Sequence, residues 1–196
     1  MVKSVLAIGF ALITWTAFTG CHREISGKEL TRYIADPAHG LTQQSQIREI
    51  RLIVQYLPSV YELWQDIREG AVYSLQQADS ARKEYDHFYY FRMVMRNVPR
   101  QKTLADYFDF GIKGELLLAV GADTVPCAIC QRIMNGNGSL NEYLLAFPRN
   151  AKVDGGGRYA NGFQLLYTGY TLGLSPVSFN FKRSKLNKIP ALKFDQ

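Results

Sequence analysis

From Tyr85 to Val98 the side chains fall into two alternating sets. His87, Tyr89, Phe91, Met93 and Met95 form one, and Phe88, Tyr90, Arg92, Val94 and Arg96 the other. A period of two residues belongs to an extended strand whose two sides meet different surroundings, because helix faces recur about every 3.6 residues. A strand this long and aromatic needs neighbours to pair its backbone and a second layer to cover its apolar side. Suitable neighbours follow. Ile50 to Leu57 alternates and stops at Pro58. Ile112–Val120 and Thr124–Met134 flank a Gly121-Ala122-Asp123 turn and read as a hairpin. Asn141–Phe147, Phe163–Tyr170 and Val177–Phe181 are short apolar runs, and the tail from Leu186 to Phe194 reads as extended.

Helical spacing is confined to the front of the chain. Ser26 is placed to cap a helix from Gly27 to Ala35, which Asp36-Pro37 ends. Between Ser59 and Arg82, Val60, Leu63, Trp64 and Ile67 recur at helical intervals, as do Val72, Leu75 and Ala78, with Gly70 dividing two helices or kinking one. Thr103–Phe110 fits a helical turn. Asn135–Ser139 and Asp154–Gly157 are loops; Gly155-Gly156-Gly157 lacks the Lys-Ser/Thr of a phosphate loop. Helices first and at least six strands after predict a mainly β fold with helical additions near the N-terminus. The architecture is β-sandwich-like, in a single mostly β domain over residues 28–196.

The first 20 residues read as a leader. Lys3 precedes an uncharged run of 14 residues, Val5–Phe18, whereas a membrane span needs about 20. Phe18-Thr19-Gly20-Cys21 matches a lipobox, with Phe18 where Leu is usual. Cys21 is therefore the expected lipidation site, with residues 21–27 as a tether. The expected cofactor set is empty, and the expected partner is the membrane, reached through the lipid. With His22 rather than Asp after the cysteine, the expected location is the outer membrane of the cell envelope. Removing the leader lowers the formal charge from +6 by the one unit that Lys3 supplies. The basic run Lys182, Arg183, Lys185 and Lys188 is a solvated edge that could meet headgroups; no longer block points to nucleic acid.

Two cysteines remain, Cys127 and Cys130, in a C-x-x-C spacing that matters in an oxidising compartment. Residues i and i+3 of a strand point to opposite faces. The favoured reading is two separate small hydrophobes. A strained local disulfide and a redox pair stay open, and two thiolates alone do not complete a zinc site. No catalytic residue is assigned: His39 and His87 have no ligating neighbours, and no nucleophile elbow or H-E-x-x-H motif occurs. Asp106 and Asp109 read as solvated charges. Tyr89, Tyr90 and Phe91 are candidate ligand-groove aromatics, since flat rings stack on sugars.

Four groups of residues, in order, resemble a family of uncharacterised lipoproteins from the Bacteroidota. They are Tyr33-Ile34 with Asp36-Pro37, Gly40-Leu41 and Gln55-Tyr56-Leu57-Pro58; Tyr89-Tyr90-Phe91; Pro126-Cys127 with Leu145-Ala146-Phe147-Pro148; and Phe179-Asn180-Phe181 with Ile189-Pro190-Ala191-Leu192-Lys193. The resemblance implies a mostly β lipoprotein at the surface or in the periplasm, and brings no ligand or reaction; Cys130 stands outside its motifs. The expected function is a structural or binding component of the envelope, with a protein partner or a glycan, and without catalysis. The alternative is an envelope thiol–disulfide enzyme.

Overall fold

The computed structural model describes residues 24–99, 102–134, 140–149 and 162–193. The leader, Cys21, His22 and the loops at 135–139 and 155–157 lie outside the described residues. The fold is mainly β with helical additions near the N-terminus, built as two antiparallel sheets face to face.

The larger sheet has β4 (Phe88–Arg96) at its centre. Its order is β2 (Thr42–Ile47), β3 (Ile50–Leu57), β4, β8 (Leu140–Pro148) and β7 (Ile129–Ile133). The smaller sheet runs β10 (Val177–Phe181), β9 (Phe163–Tyr167), β5 (Leu116–Val120) and β6 (Asp123–Pro126). Alternation sets which side chains face inward. Tyr89, Phe91, Met93 and Met95 of β4 are all buried, as are Val54 and Tyr56 of β3 and Phe163, Leu165 and Tyr167 of β9. Tyr56 lies 5.0 Å from Phe163 and 6.2 Å from Phe181, ring centre to ring centre; Phe91 lies 5.7 and 5.4 Å from the same two. These separations fall in the attractive range for tilted and edge-on rings, roughly 4.5–7 Å.

The free edges are treated individually. At Asn180 of β10, the Gln43 side chain accepts the backbone N–H at 3.0 Å and donates to the carbonyl at 2.5 Å. This side-chain amide does the work of a further strand and joins the two sheets along that margin. At the chain ends, β1 (Glu24–Ile25) pairs in parallel with β11 (Ala191–Leu192).

Helix α1 (Gly27–Ala35) begins with the Ser26–Glu29 capping box and buries Leu30 and Ile34. A Cβ on Gly27 would fall 1.9 Å from Trp64 Nε1, so this glycine lets α1 approach α2 (Ser59–Arg68). The helical stretch from Ser59 to Arg82 is two helices, α2 and α3 (Leu75–Tyr85), separated by Gly70 at φ 104. That angle is one an L side chain rarely adopts.

Several sequence expectations need correction. β2 went unseen because Thr42-Gln43-Gln44-Ser45-Gln46 carries no apolar alternation; it is an edge strand, joined to β3 through Arg48 at φ 54. The expected hairpin of 112–120 and 124–134 is a hairpin only through Pro126, after which the chain enters the other sheet. Residues 112–115 form a 3-10 turn. Within the stretch 21–27 expected to be a tether, Glu24 and Ile25 pair with β11 and Ile25 is buried. The tail expected to be extended from Leu186 is extended at Ala191–Leu192, as β11; its first residue, Leu186, closes a helical turn, α4 (Arg183–Leu186).

Phe91→Ala should cost about 3–5 kcal/mol by removing a ring with no exposed surface from between the sheets. Val72→Ala, at a side chain 93% exposed, should stay within about 0.5 kcal/mol of the parent. Urea unfolding of both variants measures the difference.

Candidate functional site

The C-x-x-C segment lies where the chain changes sheets. Pro126 of β6 stands opposite Leu117 of β5, and Ile129 of β7 opposite Ala146 of β8. Between them the Cys127 N–H donates to the Leu116 carbonyl of the small sheet at 3.3 Å. The Ala128 N–H donates to the Ala146 carbonyl of the large sheet at 2.9 Å. The two cysteines therefore bracket a corner rather than lying along one strand. Cys127 is buried and its thiol donates to the Ile129 carbonyl at 3.0 Å; Cys130 stands opposite Leu145 on the inner side of β7.

Both thiols are unbonded. Burial, with the charge of Cys130 adding to it, pushes the Cys127 thiol up to about 12. Burial pushes the Cys130 thiol up to about 11 against the pull of Lys113. At neutral pH the thiolate fraction at such values is on the order of one in ten thousand or less. Thiol–disulfide attack runs through the thiolate, so burial slows it at both cysteines.

Beside this corner the chain winds into a π-helix, Tyr107–Gly111. The Ile112 N–H donates to the Tyr107 carbonyl, and the wide turn puts Tyr107, Phe108 and Ile112 all into the interior. The Tyr107 hydroxyl donates to Glu115 Oε2 at 3.1 Å and lies 2.8 Å from the Tyr167 hydroxyl. Glu115 Oε1 accepts the Thr171 N–H at 2.8 Å. Tyr143 donates to the Phe108 carbonyl at 3.0 Å. Burial raises the Tyr107 and Tyr143 hydroxyls well above the ordinary range and Tyr167 to about 12. These phenols stay neutral and hold the π-helix to the sandwich. Asp109 pairs with Arg132 at 2.6 Å, and Arg132 also donates to Asn141 at 2.7 Å.

Two rings on the rim of this end were missed by sequence reasoning. Phe110 is 80% exposed and Tyr170 is 85% exposed. Tyr170 precedes Thr171, whose N–H binds Glu115, and Phe110 sits in the π-helix whose Tyr107 binds the same carboxylate. The available signal was position: both lie in short turns next to glycine, where a strand or helix face would not hide them.

The groove expected from Tyr89, Tyr90 and Phe91 is not formed, because strand alternation separates them. Tyr89 and Phe91 face the core; Tyr89 packs 4.9 Å from Phe163 and carries the Arg149 guanidinium 4.8 Å above its ring. Tyr90 points outward, 6.0 Å from both Phe88 and Tyr85. Nearby, Asp66 Oδ2 accepts hydrogen bonds from Tyr73, at 3.0 Å, and from Tyr85, fastening α3 to α2. One turn earlier on α2, Glu62 is half-buried as a whole, but its Oε1 is sealed from solvent and has no hydrogen-bond partner among the described residues. Burial, aided by the charges of Asp66 and Glu69, pushes this carboxyl to about 7.

Comparison with protein-family models gives no match, and neither does comparison with curated proteins. Among solved structures, a crystal structure of a novel protein of unknown function from Burkholderia pseudomallei is similar at 9% identity and a TM-score of 0.43. The match covers 85% of this chain and 94% of that one.

Thiol labelling of the native protein at pH 7 should be slow at both cysteines, with the half-buried Cys130 ahead of Cys127. It should accelerate only as the pH nears about 11, where Cys130 ionises. A pH–rate series with iodoacetamide, read by mass spectrometry, checks this. Glu62 supplies a second test. With a native pKa of about 7 against 4.5 for the free group, the folded protein binds more protons than the unfolded chain between those values. Stability therefore falls as pH rises through that window. Glu62→Gln should be more stable than the parent at pH 8 by about 1–3 kcal/mol and nearly equal to it at pH 4, as paired denaturant titrations will show.

Proposed function

We propose that this protein is a lipid-anchored, non-catalytic binding component of the bacterial cell envelope, attached through Cys21 and sorted to the outer membrane. The observation that carries this reading is spacing. The sequence that reads as a leader with a lipobox ends at Gly20, and His22 and Arg23 alone separate Cys21 from Glu24, the first residue of β1. Three residue steps span at most roughly 11 Å, so an acylated Cys21 holds the domain directly on the bilayer. Several acyl chains on one residue each bury methylenes at about 0.8 kcal/mol apiece, which makes attachment lasting. The resemblance to uncharacterised Bacteroidota lipoproteins favours the same assignment.

A binding role suits the chemistry of the described residues. The thiols are held protonated, and the buried phenols are spent on fastening the π-helix. The exposed rings Phe110 and Tyr170 offer flat apolar surface of the kind that contacts a protein partner or stacks on a sugar.

Cys21→Ala should abolish incorporation of labelled palmitate, and intact-mass analysis should show that the acyl adduct is lost. A Cys21→Ala chain that remains acylated would sink the assignment.

A further inference from the structure

The positive charge of this protein is gathered in one place. Residues 182–193 hold five basic side chains, Lys182, Arg183, Lys185, Lys188 and Lys193, and no acidic one. Residues 37–181, by contrast, hold 14 basic and 13 acidic ones and nearly cancel.

The fold fixes where that charge lies. The segment runs antiparallel along the flank of α1. Lys185 Nζ donates to the Ala38 carbonyl, just beyond the end of α1, at 2.9 Å. Its side chain packs on Gly40, where a Cβ would come within 3.1 Å of it. Midway, the Tyr33 hydroxyl donates to the Lys188 carbonyl at 3.0 Å. At the start of α1, Ala191 and Leu192 pair with Glu24 and Ile25, and the Lys193 N–H donates to the Ile25 carbonyl at 2.9 Å. Leu186 and Leu192 are buried beneath the segment, which leaves its five basic side chains exposed. Lys28 and Arg32, one turn apart on α1, are exposed as well. Among the described residues the acidic groups in this region are Glu24, Glu29 and Asp36; Asp195, two positions beyond the strap in sequence, lies outside them. Glu29 is engaged in the Ser26 capping box, and Asp36 caps the Ala38 N–H at 2.9 Å beside His39.

This basic strap ends against Glu24 and Ile25, three and four positions from Cys21 in sequence. We propose that the strap 182–193, with Lys28 and Arg32, is a membrane-facing surface that lies against anionic lipid headgroups and sets the orientation of the domain. The proposal rests on the lipid-anchor reading. An anchor within roughly 11 Å of Glu24 keeps this pole within about one Debye length of the headgroups. There, clustered Lys and Arg are attracted by a negative surface potential.

The test is lysine acetylation of the lipoprotein purified from membranes and reconstituted into vesicles of phosphatidylcholine alone or rich in phosphatidylglycerol. Lys83 and Lys113, exposed on other parts of the fold, serve as internal references. Lys28, Lys182 and Lys188 should be modified several-fold more slowly on the anionic vesicles only, with the difference erased at high salt. The triple variant Lys182→Glu, Arg183→Glu, Lys188→Glu should lose the protection of Lys28. Equal modification on both vesicle types, or protection spread evenly over Lys83 and Lys113, overturns the proposal. Intact mass reports separately on the anchor. If Cys21 proves unacylated, the same chain is mixed with the same vesicles: salt-sensitive protection of the three lysines then upholds the face without the anchor, and no protection rejects it.

Discussion

Four rings, Tyr56, Phe91, Phe163 and Phe181, meet between the two sheets, and the rest of the molecule is arranged around keeping them dry. Each lies on a different strand, so none can be covered by its neighbours in sequence. That requirement brings β9 and β10 of the small sheet over the centre of the large one. It also leaves two margins to be closed. One is closed by the Gln43 amide on Asn180, the other by the chain itself passing from sheet to sheet at Cys127-Ala128. The ends of the sandwich are sealed by turns of unusual pitch, above all the π-helix that turns two consecutive aromatics, Tyr107 and Phe108, inward together.

What could be read from the sequence follows from this arrangement. Strands with one face on the rings alternate, which makes β3 and β4 legible, whereas β9 and β10 show only as short apolar runs. Helix α1 was legible to the residue because Ser26 and Glu29 announce its start chemically. β2 was invisible because an edge strand with glutamines on both faces has no apolar side to display. The change of sheet at Cys127 was invisible too, since a strand that switches partners keeps its composition and alters only the address of its hydrogen bonds. The candidate site fared similarly. Two cysteines were noted, but their placement at a corner depends on where β5 and β8 lie. The aromatic run at 89–91 was read as one surface although the period of two, already recognised there, divides it between two faces.

The polar chemistry of the interior is largely that of neutral donors. Tyr107, Tyr143 and Tyr167 reach carboxylate, carbonyl and one another without ionising, and the thiols remain protonated beside them. Carboxylates enter it as well: Glu142, buried, pairs with Arg92 at 2.6 Å, whereas Glu62, close to Asp66 and Glu69, is pushed up to about 7, so the cost of ionising it grows as the solution becomes alkaline.

The two-residue parallel pairing of β1 with β11 bears on how the molecule carries load. Tension entering through the amino-terminal end meets that short ladder before it reaches any long strand. Beyond the ladder the next element in line is α1, secured by its capping box and by Gly27 seated on the Trp64 ring. The wide ladders β3–β4–β8 are reached last. A pull on Glu24 would therefore load the two-residue β1–β11 ladder and then α1 before the aromatic layer between the sheets.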